Sequence, residues 1–193
     1  MEFSGKKVTV VGTGISGIGA VGLLNAVGAE VVLYDGNEKL KIEDIEKKLG
    51  TYKAEIVLGE LTKELTDSSD LLVISPGVPI DSPVVKAFEA AGVPVWGEVE
   101  LAYAFDKGKV LAITGTNGKT TTTALVGQIV GAYHKDTFVV GNIGNPYTTE
   151  VLKSNKDSYT VAEISSFQLE TVHEFHPLVS AILNITPDHL NRH

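Results

Sequence analysis

Short aliphatic and β-branched runs recur along the chain, and most are followed by a longer stretch whose apolar positions carry helical spacing. The runs at 7–11, 30–34, 55–58, 71–74 and 94–96 predict strands, and the stretches at 16–27, 42–49, 83–91 and 98–105 predict helices. Short β-branched runs alternating with helix-like segments are the signature of a parallel sheet with crossover helices. A polar, glycine-containing link, Asp106-Lys107-Gly108-Lys109, interrupts the series, after which it restarts. Strands are predicted at 110–113, 138–140, 159–164 and 179–185, with helices at 120–130 and 147–152. The expected class is α/β, with a Rossmann-like parallel-sheet domain over residues 1–105 and a second α/β domain over 106–193.

Composition narrows the classes. The 193 residues, 43% apolar, are enough for one large or two small cores. A formal charge of -8 with scattered basic residues argues against a nucleic-acid surface, which needs a concentrated cationic patch. There is no cysteine, which removes disulfides, thiolate metal sites and thiol nucleophiles together and fits a cytoplasmic location. The uncharged stretch at 8–29 has the length of a membrane span, yet glycines at 12, 14, 17, 19, 22 and 28 divide it into strand, turn and helix. No export signal or membrane insertion is expected.

The candidate chemistry lies where predicted strands end. Gly115-Thr116-Asn117-Gly118-Lys119-Thr120-Thr121 follows the apolar run 110–113 and opens a predicted helix. Such a loop converges several backbone N–H groups on one small volume, and the helix dipole adds partial positive charge there. Lys119 is placed for the β/γ-phosphates of ATP, and the Thr120 hydroxyl for Mg²⁺. The usual phosphate-loop spacing would put glycine where Ile113 stands, so this is the shorter form Gly-x-x-Gly-Lys-Thr. A P-loop ATPase unit is the reading for the second domain.

In the first domain, Gly12-Thr13-Gly14-Ile15-Ser16-Gly17 fits Gly-x-Gly-x-x-Gly between strand and helix, and Asp35 ends the next strand, 18 residues after Gly17. The pattern serves any nucleoside diphosphate, so an NAD(P)-binding oxidoreductase or regulatory Rossmann domain stays open on these residues. Ser75-Pro76-Gly77 also follows a strand, where a plain rigid turn is the simpler reading. In the second domain Glu163, at the end of a strand, is a natural Mg²⁺ ligand beside a phosphate loop. Asn142 in Gly141-Asn142-Ile143-Gly144 and His189 after Asp188 lie at comparable strand ends, while His134, His173, His176 and His193 read as surface residues.

Taken in order, these motifs resemble the Mur ligase family. The resemblance rests on the turn at 12–17, Ser75-Pro76-Gly77, the phosphate loop from Thr114, Gly141-Asn142-Ile143-Gly144, Ser165-Ser166-Phe167-Gln168-Leu169-Glu170 after Glu163-Ile164, and Asn184-Ile185-Thr186-Pro187-Asp188-His189. It implies a ligase of peptidoglycan precursor synthesis, a process tied to cell wall biogenesis and cell division. The segment at 165–170 points to the member that adds D-glutamate to UDP-N-acetylmuramoyl-L-alanine through an acyl phosphate.

Carried over by motif, Lys119, Glu163 and His189 would be catalytic, residues 115–121 would bind ATP, and Thr120, Glu163 and His189 would hold metal. Ile15, Ser16, Asp35, Gly36, Asn37 and Ser75 would surround the UDP portion of the sugar nucleotide, and Asn142 and His189 would reach the remainder. The family more often has aspartate where Asn191 stands, a small departure. The resemblance also implies that the metal-bridging carbamylated lysine and a D-glutamate domain lie beyond His193, so the 193 residues alone are expected to be inactive. The sequence does not specify the oligomeric state; the resemblance implies a monomer for the intact enzyme.

Overall fold

The computed structural model describes residues 2–190 and contains two parallel sheets. The first is built from β1 (Lys7–Val11), β2 (Glu30–Asp35), β3 (Glu55–Leu58), β4 (Leu71–Ile74) and β5 (Val95–Gly97), in the order β3-β2-β1-β4-β5. The register pairs Val8 with Val31 on one side and with Leu71 on the other, and all pairings are parallel. The order reverses beside β1, which opens a crevice at the carboxyl ends of β1 and β4.

Helices α1 (Ile15–Ala26) and α2 (Ile42–Leu49) cover one face, while α3 (Lys63–Ser68) and α4 (Pro83–Ala90) cover the other. Helix α5 (Glu98–Tyr103) leaves the end of β5 directly. Most predicted elements appear within a residue or two of their expected bounds. Helix α3 was not predicted: its six residues, mostly polar or charged, carry too little periodicity, although the Thr62 side chain caps it by accepting from the Leu65 N–H at 3.3 Å.

The second sheet comprises β6 (Lys109–Thr114), β7 (Thr137–Gly141), β8 (Tyr159–Glu163) and β9 (Val179–Ile182), in the order β7-β8-β6-β9. Helix α6 (Lys119–Tyr133) packs on its outer face, where Gly127 lets the helix meet Val139. Helix α7 (Tyr147–Glu150), continued by a 3₁₀ turn at Val151–Lys153, lies on the inner face against α1 and α5. A further short helix, α8 (Ser166–Leu169), was missed by periodicity because four residues cannot display a period. It carries a capping box between Ser165 and Gln168.

Strand β9 stops at Ile182, three residues short of the predicted end, because its partner β6 ends at Thr114 and turns into the phosphate loop. The two sheets share one apolar cluster through the intervening helices. It runs from Val8, Val10 and Leu33 through Ala20, Leu24, Val99, Leu101 and Tyr147 to Val110, Val140 and Ala162. That packing places the two sheets' carboxyl edges side by side. No helix among the described residues is long and apolar enough to cross a membrane.

Candidate active site

The phosphate loop leaves β6 and enters α6 with Gly118 at the N-cap, in the left-handed region at φ +83°, a conformation costly for any side chain. Lys119 folds back over the loop, its Nζ donating to the carbonyls of Gly115 (2.7 Å) and Thr116 (3.0 Å). The cation is therefore held above the loop whose N–H groups open the helix. Thr120 and Thr121 sit exposed on its first turn, as do Asn117 and Gly118 beside them.

The loop is braced from the segment that follows β9, within and just beyond the strand expected over 179–185. The Asn184 side chain accepts from the Asn117 N–H at 2.9 Å and donates to the Asn117 carbonyl at 2.9 Å, while the Asn184 carbonyl accepts from the Thr116 N–H at 3.0 Å. Thr116 and Thr186 close a second pair, the Thr116 hydroxyl donating to the Thr186 carbonyl at 3.1 Å and accepting from its N–H at 3.0 Å. No sequence signal marks this brace, since its partners stand about seventy positions apart.

Glu163 closes β8 and is fully buried. One of its oxygens, Oε1, accepts from Asn142 Nδ2 at 2.8 Å, and the other has no hydrogen-bond partner among the described residues. A buried carboxylate oxygen without a donor is costly unless a cation or donor meets it. Lys119, Asn142, Ser165 and His189 line one cleft of about 850 Å³, which Pro76 and Gly77 border from the first sheet's edge. His189 stacks edge-on against Phe167 with ring centres 5.0 Å apart, and its backbone lies in the left-handed region at φ +49°. Among the described residues no three His, Cys, Asp or Glu side chains gather into a metal cluster.

The residues expected around the sugar nucleotide's diphosphate form a separate group on the first edge. Gly17 packs so tightly beneath the turn that a Cβ there would overlap the Gly12 carbonyl. Asp35 accepts from the Thr13 hydroxyl and from the Asn37 N–H, both at 3.1 Å, which fixes the turn beside Gly36. Ile15 is 80% exposed on the outside of the turn. Ser75 lies lower than its sequence position implied, its hydroxyl buried beneath Gly12 and Gly17 without a hydrogen-bond partner among the described residues. Ser16 faces Glu98 at the start of α5.

Of the histidines read as surface residues, His134 lies against the Tyr159 ring at 4.2 Å and His173 Nε2 contacts the Val95 carbonyl at 2.9 Å. His176 is exposed, and its carbonyl accepts from the Tyr103 hydroxyl at 2.9 Å. Asn191 and His193 lie outside the described residues.

A family model described as the MurD-like N-terminal domain of Mur ligases matches residues 6–97, and one described as the Mur ligase middle domain matches residues 113–193. The chain belongs to the Mur ligase family. Over its whole length it is 72% identical to a UDP-N-acetylmuramoylalanine--D-glutamate ligase of Lachnospira eligens and 60% identical, over 194 aligned positions, to the protein of that name in Lachnoclostridium phytofermentans. It spans 43% of the length of each of those relatives.

Among solved structures, a UDP-N-acetylmuramate:L-alanyl-gamma-D-glutamyl-meso-diaminopimelate ligase from Neisseria meningitides superposes with a TM-score of 0.59 at 19% identity, over 98% of this chain and 63% of that one. A murein peptide ligase from Psychrobacter arcticus gives 0.55 at 19%, over 97% and 44%. These two likenesses bear on the fold alone.

Proposed function

We propose that this chain carries the sugar-nucleotide and ATP edges of a ligase that joins D-glutamate to UDP-N-acetylmuramoyl-L-alanine. In this reading residues 1–105 hold the UDP-sugar and residues 106–193 belong to the ATP-binding unit. The carrying observation is the shared cleft, in which the phosphate loop with Lys119 faces Asn142, Ser165 and His189 and is bordered by Pro76-Gly77 from the first edge. A nucleotide on one edge and an acceptor on the other would then meet between the two sheets. The names of the relatives that match the whole chain supply the substrates.

In this reading the ligation has two steps. The L-alanyl carboxylate attacks the γ-phosphorus of ATP, a new P–O bond forms, the bond to the bridging oxygen breaks, and ADP leaves. The D-glutamate amine then attacks the acyl carbon, expelling phosphate and losing a proton as the amide forms. Lys119 and the loop N–H groups offset the charge on the transferring phosphoryl.

Mg²⁺ fits the donors present. The buried, unpartnered Glu163 Oε2 and the exposed Thr120 hydroxyl are hard oxygen ligands of the type it takes, and of the three expected ligands His189 is the one that lines the cleft. When bound, the ion neutralises phosphate charge that would otherwise repel the incoming carboxylate. Asn142 holds Glu163 in place through its amide.

Calorimetric titration of the chain with UDP-N-acetylmuramoyl-L-alanine, UDP and NADH tests the reading. Heat with the UDP ligands and none with NADH is expected, and binding of NADH alone would return the first edge to nicotinamide chemistry.

A further inference from the structure

Helix α5 starts at the carboxyl end of β5 with Glu98, a glutamate only 2% exposed. Its Oε1 accepts from Gln168 Nε2 at 3.2 Å, across the junction between the two sheets. Gln168, itself 4% exposed, uses its own Oε1 to accept from both the backbone N–H (2.9 Å) and the hydroxyl (3.0 Å) of Ser165. Ser165 lines the cleft. On the other side, Ser16 of the Gly-rich turn faces the same carboxylate and favours its charged form. The hydrogen bonds therefore run Glu98, Gln168, Ser165, from the end of β5 on one edge to the strand end of the other.

We infer that Glu98 is a positioning residue that sets the carboxyl end of β5 in the first sheet against the Ser165 end of β8 by way of Gln168. Three observations favour this over a glutamate that merely fills space. The cavity beside it, bordered by Ser75, Glu98, Phe167 and Gln168, is about 10 Å³, room for no more than roughly one water, so Glu98 reaches no substrate of its own. Its Oε2 has no hydrogen-bond partner among the described residues, so an apolar side chain of equal volume would be the less costly filler. Approach at this junction is also built in at Gly97, where a Cβ would collide with the Thr171 side chain. Glu100, two residues on, serves as a contrast. Its carboxylate is met by the N–H groups of His173, Glu174 and Phe175 at 2.8, 2.8 and 3.2 Å, and it anchors that backbone without reaching the cleft.

The chain's lack of cysteine makes the test clean. Cysteines introduced at the exposed positions Lys86 on α4 and Gln128 on α6 carry spin labels, and dipolar spectroscopy reads the distance distribution between the sheets. Glu98→Met, which keeps volume and removes the acceptor, is expected to shift or broaden the distribution by more than about 2 Å. Glu98→Gln, which keeps an acceptor for Gln168, is expected to match the parent chain. Gln168→Met repeats the test from the other side should Glu98→Met fail to fold by circular dichroism.

A distribution unchanged in a folded Glu98→Met or Gln168→Met chain overturns the inference, as does a Glu98→Gln loss as large as that of Glu98→Met. The consequence for ligation rests on the proposed function, but the distance does not. A chain that ignores UDP-N-acetylmuramoyl-L-alanine and still shows the expected distances would sink that function and leave the positioning role standing.

Discussion

Lys119 is the residue on which the nucleotide reading turns, because among the described residues its ammonium donates to two carbonyls of its own loop and to no carboxylate. Lys119→Met should therefore leave folding intact and weaken ATP binding by roughly 100-fold, the scale of one preorganised charged donor. Calorimetry with a non-hydrolysable ATP analogue, beside an unchanged circular dichroism spectrum, checks it. Glu163 differs in being buried with one oxygen engaged by Asn142. Glu163→Gln can retain that contact while losing the anion, so ATP affinity should lose most of its dependence on Mg²⁺. Glu98 makes a prediction in pH. Burial pushes its carboxyl above the ordinary glutamate range, with Ser16 and Gln168 drawing it partly back. A folded state that holds the proton more tightly loses relative stability as pH rises from the unfolded value through the folded one. Glu98→Gln should thus match the parent chain well below the ordinary glutamate pKa and become progressively more stable than it above, as urea unfolding across pH would show.

At the scale of elements, the junction between β6, α7 and β8 is held by Asp106. Its Oδ2 accepts from the Tyr147 hydroxyl at 2.6 Å and the Thr160 hydroxyl at 2.8 Å, and its Oδ1 from the Gly108 N–H at 2.7 Å. Burial and the Asp106 charge push the Tyr147 phenol far above its ordinary pKa, so it stays a donor. Tyr147→Phe should cost about 1.5–3 kcal/mol in urea unfolding, the worth of a hydrogen bond to a charged group. How legible each element was depended on how local its cause is. The strands of the first sheet and helices α1, α2 and α4 were readable because short β-branched runs alternating with helix-like stretches are written into consecutive residues. The phosphate loop and the Gly12–Gly17 turn were readable for the same reason, as glycines at fixed offsets. Helices α3 and α8 were too short to show a period, and the early end of β9 depended on where β6 turns away. The braces of Asn184 on Asn117 and of Glu98 on Gln168 join residues about seventy apart, and nothing near either partner announces the other.

For the whole molecule, the question is what the 193 residues can do as one body. The continuous core through α1, α5 and α7 brings the strand ends of both sheets beside one cleft, which under the proposed function would take a sugar nucleotide and ATP. Ligation asks more, because D-glutamate brings two carboxylates that must be held by cationic or N–H donors while its amine approaches the acyl carbon. Lys119 is the single lysine or arginine among the described residues that line the cleft, and it is committed to the phosphate loop. Among the described residues no second lysine or arginine is within the lining to seat a dicarboxylate. The polypeptide of 193 residues should therefore give no heat when D-glutamate is added to it with a saturating ATP analogue and UDP-N-acetylmuramoyl-L-alanine. With ATP in place of the analogue, it should form no amide by chromatography. D-Glutamate-dependent amide from this chain would show that the acceptor amine is seated by residues other than those lining the cleft, and would move the amino-acid site away from it.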